Sequence, residues 1–260
     1  MSIAAPPYPP ARSLLAGKTV LVTAAAGTGI GFATAKRCVE EGAVVMISDI
    51  HERRLAEAAA ALTEISGHKT PRHLCNVTRE AEVEALVDAA VSELGRIDVL
   101  VNNAGLGGYA RLVDMTDEQW SVVLDVTLNG TFRMTRAALR HMVGRRAGVI
   151  VNNASVLGWR AQEGQAHYAA AKAGVMALTR CAAIEAAEAG VRVNAVAPSL
   201  AMHEFLAKVT PPGLLEELVG REAFGRPAET WEIANVIAFL ASDYSSYMTG
   251  EVVAVSSQHP

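Results

Sequence analysis

KTVLVTAAAGTGIG, residues 18–31, passes from a β-branched run into a glycine-rich turn and then toward a helix. Lys18–Thr23 has the composition of a short strand, and residues 31–41 read as a helix ending at Gly42. Gly27, Gly29 and Gly31 stand where the chain turns tightly and brings its backbone close to an anion. The helix that follows offers unpaired N–H groups and the positive end of its dipole. A glycine-rich turn alone is a weak signal, and its place between strand and helix strengthens it.

Working outward, Ala43–Ser48 is a second apolar strand closed by Asp49, followed by a helix over 52–65 and a short strand at 71–75. A helix over 78–94 leads to the strand Ile97–Asn102, which meets Asn103, Ala104 and Gly105. A long helical region runs from Asp117 to Val143, and Gly148–Asn152 is the next strand. Then come a helix over 166–189, the strand Val191–Ala197 ending at Pro198, an irregular stretch at 199–222, a helix over 229–241 and a last strand at 250–256. Strands alternate with helices, and the strands are continuous apolar runs. This pattern predicts a doubly wound α/β fold, a parallel sheet with helices on both faces, as one domain over 17–260. Residues 1–16 hold Pro6, Pro7, Pro9 and Pro10, too much proline for a helix or central strand, and form an extended arm. Ligands of this fold lie beyond the carboxyl ends of the strands. Thr23–Gly31, Asp49, Asn103–Gly105, Ser155 and Pro198 all follow strands, so one crevice is expected to collect them.

The balance of the chain excludes several functions. With 260 residues, 51% hydrophobic, and a net charge of −4 spread evenly, it has the core of a large domain and no basic stripe for nucleic acid or membrane. No apolar run approaches the roughly 20 residues of a membrane span. Cys38, Cys75 and Cys181 are distant and odd in number, which argues against a disulfide framework or metal site. They read as reduced, buried cysteines of a cytoplasmic protein.

Asp49 lies eighteen residues beyond Gly31. A carboxylate there accepts hydrogen bonds from adenosine ribose hydroxyls and repels a 2′-phosphate, so NAD is expected over NADP. Arg53 and Arg54 soften that preference, and the plain alternative for Asp49 is a helix N-cap. In NNASVLGWRAQEGQAHYAAAK, residues 152–172, Ser155 precedes Tyr168 by thirteen positions and Lys172 follows it by four. On a helix the last spacing puts phenol and ammonium on one face. A cation there lowers the tyrosine pKa from about 10 and makes it a usable acid or base.

These residues resemble the short-chain dehydrogenase/reductase family over nearly all of the chain from Gly17. The carriers are VTAAAGTGIG, the NNAG at 102–105, Ser155, the Tyr168–Lys172 motif, NAVAP at 194–198 and FLASD with a later TG. The resemblance implies that Tyr168 exchanges a proton with the substrate oxygen while hydride moves to or from a nicotinamide. Lys172 would hold the nicotinamide ribose, and Ser155 would hydrogen-bond the substrate. It further implies a cofactor site of Thr23, Gly27, Gly29, Ile30, Gly31, Asp49, Asn76 and Val77, with Asn103, Ala104 and Gly105 bordering the adenosine side, Pro198 beside the nicotinamide, and Tyr168 and Lys172. The usual homotetramer is implied too.

Some positions depart from the family pattern. Ala24 stands where glycine is common, and Asn76 replaces an aspartate. Thr127 occupies the place of an asparagine that supports a proton relay to the lysine, so either its hydroxyl holds the relay water or the relay runs differently. Ser199 and His203 differ from the usual residues beyond Pro198. On the substrate side, 199–222 is expected to form a lid with Phe205 in an apolar wall and His203 as a polar residue. Trp159 and Arg160 lie beside the pocket. Arg160 pairs either with an acidic substrate group, such as coenzyme A phosphates, or with a structural carboxylate.

YPPARSLLAGK, NNASVLGWRAQ and the terminal QHP look most like actinobacterial family members assigned to steroid breakdown. That likeness implies a hydroxyl or ketone of a bicyclic, hydrindane coenzyme A thioester as substrate. The alternatives are a 3-oxoacyl-thioester reductase and a catalytically silent nucleotide sensor.

Overall fold

The computed structural model describes residues 3–202 and 213–258. Seven strands form one parallel sheet: β1 (Thr19–Val22), β2 (Val44–Asp49), β3 (Arg72–Leu74), β4 (Val99–Asn102), β5 (Gly148–Asn153), β6 (Val191–Pro198) and β7 (Val252–Val255). Their order across the sheet is β3-β2-β1-β4-β5-β6-β7. The doubly wound parallel sheet expected from the alternation is the one observed. After β3 the chain crosses to the far side of β1, so the connections after β1 and β4 diverge and leave a crevice between them.

The central strands are buried on both faces because alternate residues feed two cores. Val20 and Val22 join Leu55, Leu62 and Ile237 on one side of the sheet. Leu21 joins Leu86, Met134 and Ile150 on the other. The first layer holds α1 (Ile30–Glu40), α2 (Glu52–Ser66) and a late helix over Thr230–Ala241. The second holds α3 (Glu80–Leu94), α5 (Gly130–Arg145) and α6 (Ala166–Ala186).

The long helical region after β4 is not continuous. α4 (Asp117–Leu124) passes into one π-helical turn, Asp125–Asn129, before α5 begins at Gly130. Such single turns reorient side chains within a helix and cluster at functional sites. The irregular stretch after β6 contains a helix that its weak pattern hid, α7 (Leu214–Gly220), followed by α8 (Thr230–Ala241). His203 and Phe205, with the middle of the expected lid, lie outside the described residues.

The proline-rich arm runs along the body. The Arg37 guanidinium donates to the Pro9 carbonyl at 2.8 Å and pairs with the buried carboxylate of Glu41, which accepts from the amides of Arg12 and Leu14 at 2.9 Å each. Farther out, the Ile3 amide donates to the Phe224 carbonyl at 2.8 Å. Cys38 and Cys75 are buried, and burial pushes both thiols up to about 12. Cys181 instead faces outward, because its position on α6 falls on the side away from the sheet. Among the described residues, no helix is long and apolar enough to cross a membrane, and no cluster of potential metal ligands occurs.

Candidate active site

The glycine turn is built for close approach. Gly29 precedes α1 as its N-cap and has no side chain to cap it, so the first-turn amides of the helix are left without a side-chain partner. A Cβ added at Gly27 or Gly29 would meet nothing within 4 Å, whereas one at Gly31 would fall 2.3 Å from the Ala24 carbonyl oxygen. The first two leave room for a ligand's phosphates, and the third packs the helix onto the turn. Gly27 has φ 102°, and Ala24, where glycine is common, adopts φ 50°. Open space, unpaired amides and the dipole together fit a pyrophosphate.

Asp49 is not a helix cap. It ends β2 with one oxygen accepting from the Ala26 amide at 3.1 Å and the other from the His51 amide at 3.0 Å. It thereby ties the glycine turn to the second strand. Burial pushes its pKa up, against the amides and the nearby Arg54. Asn76 closes a local turn, its side-chain oxygen accepting from the amide and hydroxyl of Thr78. Val77 is buried, and a Cβ at Gly130 would fall 2.6 Å from it.

The loop after β4 spans both ends of the crevice. Asn103 donates through Nδ2 to the carbonyls of Thr23 at 3.2 Å and Ala24 at 2.9 Å, and the Thr23 hydroxyl accepts from the amides of Asn103 and Ala104. Two residues on, a Cβ at Gly105 would lie 3.5 Å from Lys172 Nζ and 3.8 Å from Thr127 Oγ1. Gly105 therefore borders Lys172 and Thr127, away from the adenosine side expected for it.

Ser155 follows β5 and starts a short 3₁₀ turn, its hydroxyl accepting from the Leu157 amide at 3.2 Å. α6 places Tyr168 and Lys172 one turn apart, with Nζ 5.5 Å from the phenol ring centroid. Lys172 is 3% exposed and donates to the Asn153 carbonyl. Gly107 packs close to the tyrosine ring, where a Cβ would be 3.6 Å from Cδ2. Pro198 ends β6 in register with Val255.

The electrostatics differ from the sequence expectation. Burial pushes the Tyr168 phenol up to about 12, with the Ser155 hydroxyl beside it pulling the other way. Burial also lowers Lys172 to about 7. An ammonium that releases its proton near neutrality is not a standing cation at higher pH, so in the protein alone it does not depress the tyrosine.

Lys172 releases its proton near pH 7 when folded and near 10.5 when unfolded, so between those values the folded state binds fewer protons. The penalty of a buried ammonium is complete below about pH 7 and fades as pH rises toward the unfolded value. Lys172→Met should therefore stabilise the protein by on the order of a few kcal/mol near neutral pH, with the gain shrinking toward about pH 10. Thermal melts at the two pH values check this, and an equal gain at both would contradict it.

Thr127 is fully buried in the π turn. Its hydroxyl donates to the Leu106 carbonyl at 3.0 Å and accepts from the Leu106 amide at 2.9 Å. Its own carbonyl accepts from the Thr131 hydroxyl at 2.8 Å. The hydroxyl proton is thus committed to the loop, and the side chain fixes the backbone beside Gly105 instead of presenting a donor to a relay water. Asn129 is exposed and donates to Asp125, away from the crevice.

Trp159 is 52% exposed, and Arg160 donates to Gln258 at 2.5 Å. Two polar residues near the reacting groups escaped the sequence reading. Asn153 donates to Asn103 Oδ1 at 3.0 Å, and its signal was a polar residue ending an apolar strand. His167 is buried next to Tyr168, its Nδ1 accepting from the Tyr168 amide at 2.9 Å. Nothing in its spacing separates it from a helix-surface histidine.

The chain is similar to known proteins along its length. The family model described as "Enoyl-(Acyl carrier protein) reductase" matches residues 24–257. A Mycobacterium tuberculosis protein named (5R,7aS)-5-hydroxy-7a-methyl-1-oxo-2,3,5,6,7,7a-hexahydro-1H-indene-carboxyl-CoA reductase is 63% identical over 250 residues, 96% of this chain and 95% of that one. A 3-oxoacyl-acyl-carrier-protein reductase of Thermotoga maritima is 41% identical over 93% of this chain and 97% of its own length. The crystal structure of a short chain dehydrogenase from Mycobacterium smegmatis superposes with a TM-score of 0.88 at 58% identity, covering 99% of both chains.

Proposed function

Because the chain belongs to the short-chain dehydrogenase/reductase family, we propose that it moves hydride between NAD(H) and a ring ketone or secondary alcohol of a hydrindane carboxyl-CoA thioester derived from a steroid. The observation that carries this reading is 63% identity, along almost the full length, to a reductase of such a thioester. The chain is an oxidoreductase whose fold takes a nicotinamide cofactor.

When bound, the dinucleotide supplies or accepts the hydride. Thr23 and the turn residues Gly27, Gly29, Ile30 and Gly31 hold its pyrophosphate, Asp49 its adenosine ribose, and Asn76 and Val77 the adenine side. Asn103 and Ala104 border its adenosine side, and Lys172 holds the nicotinamide ribose, with Gly105 and Pro198 alongside. Tyr168 passes the proton at the substrate oxygen, and Ser155 holds that oxygen by a hydrogen bond. Thr127 is a positioning residue that keeps Leu106 and Gly105 against Lys172. Trp159 flanks the substrate. The buried Asp49 carboxylate supports NAD over NADP.

A homotetramer in the cytoplasm belongs to the same reading. The exposed Phe132 and Ile184 on α5 and α6 and Tyr247 before β7 supply apolar surface for it.

The relative from Thermotoga supports a second reading, a 3-oxoacyl-thioester reductase. Purified protein assayed with a hydrindane-dione CoA thioester and acetoacetyl-CoA, each with NADH and NADPH, separates the two. We expect kcat/KM to be at least about tenfold higher on the bicyclic thioester, with a lower KM for NADH. Turnover confined to straight-chain thioesters would replace the proposed substrate, and a preference for NADPH would remove the role of Asp49.

A further inference from the structure

Resting on the thioester reading above, we propose that Arg160 is the receptor for a coenzyme A phosphate, and that the C-terminal tail, through Gln258, holds it aimed without neutralising its charge.

Arg160 lies just past the 3₁₀ turn that begins at Ser155, its amide donating to the Val156 carbonyl at 3.0 Å. The tail arrives from the other side. Val255 is in register with Pro198 and its carbonyl accepts from the Ser199 amide at 3.1 Å. Ser257 accepts from the Ala223 amide at 2.7 Å and donates through its hydroxyl to the buried Glu222 carboxylate at 2.8 Å. So anchored, the tail presents Gln258 Oε1 to Arg160 Nη1 at 2.5 Å. The contact joins the segment that follows the Ser155 turn to the tail that follows β7, beside the carboxyl end of β6.

Among the described residues, Arg160 makes no salt bridge, although it is half-buried. A guanidinium is always charged and carries five donors, and Gln258 takes one of them. A neutral amide orients the fork without cancelling its charge, which leaves the cation for an anion arriving from outside. In a carboxyl-CoA thioester the ring carboxyl is bonded to the coenzyme A sulfur and uncharged, so the phosphates are the anions available. Their oxygens match the guanidinium fork.

The test uses equilibrium binding of free coenzyme A to the NADH-saturated protein, with wild type, Arg160→Gln, Arg160→Lys and Gln258→Glu. The informative variant is Gln258→Glu. It keeps Arg160 and strengthens its anchor, yet places a carboxylate where the neutral amide was. We expect Kd to rise about tenfold or more in Arg160→Gln and in Gln258→Glu, with Arg160→Lys between them and wild type.

A merely structural contact predicts the reverse for Gln258→Glu, with binding as in wild type or tighter, and that result would overturn the proposal. So would an unchanged Kd in Arg160→Gln. In turnover, the two charge-cancelling variants should raise KM for the CoA thioester about tenfold with kcat within about twofold, and raise KM less for the matching pantetheine thioester, which lacks the nucleotide phosphates. Arg160-dependent binding of coenzyme A without turnover of any bicyclic thioester would sink the proposed substrate and leave the receptor standing.

Discussion

Tyr168→Phe is expected to lower kcat by about 10²- to 10⁴-fold while leaving NADH affinity within about twofold. The substitution removes one oxygen and keeps the ring that packs by Gly107 and lies 5.5 Å from Lys172 Nζ. The half-buried ring has ordinary helical neighbours, so folding should survive. What is lost is the proton donor at the substrate oxygen, since Ser155 alone retains only a hydrogen bond. The phenol's high pKa in the protein alone, about 12, makes it a proton donor rather than a standing base. Single-turnover kinetics with NADH, alongside fluorescence titration of NADH, read both quantities. Comparable kcat in wild type and variant would remove Tyr168 from the chemistry. If both bound NADH and neither turned over any ketone or alcohol, the chain would be a nucleotide sensor.

The second large effect is at the glycine turn. Gly31→Ala adds a Cβ 2.3 Å from the Ala24 carbonyl oxygen and 2.4 Å from Asn103 Nδ2. Neither neighbour yields easily. Those two atoms already bond each other at 2.9 Å, and Ala24 holds a left-handed φ of 50°. Relief requires moving the turn or α1, so we expect a loss of about 1–3 kcal/mol in stability and about ten- to a hundredfold in dinucleotide affinity. Gly29→Ala is the control. Its φ is −83° and a Cβ there meets nothing, so the free protein should melt as wild type does while dinucleotide affinity still falls. Calorimetry with and without NADH distinguishes the two, and equal melting temperatures for Gly31→Ala and wild type would refute the packing argument.

Much of this was legible in the residues themselves. Strand and helix are periodic properties, and seven apolar runs separated by helical segments leave few foldings other than a doubly wound sheet. The glycine turn, Asp49 and the Ser155, Tyr168 and Lys172 spacing are local patterns whose position follows once strands are assigned, because strand ends share one edge.

Tertiary structure decided the rest. The π turn that buries Thr127 depends on Leu106, twenty-one residues earlier, whose backbone engages both the donor and the acceptor of the hydroxyl. Arg160 meets Gln258 ninety-eight residues away, a partner that no local pattern indicates. The protonation of Tyr168 and Lys172 in the protein without its dinucleotide is not readable from spacing, because spacing reports only the nearby charge. Desolvation by the assembled loops outweighs that charge, and burial is a property of the whole fold.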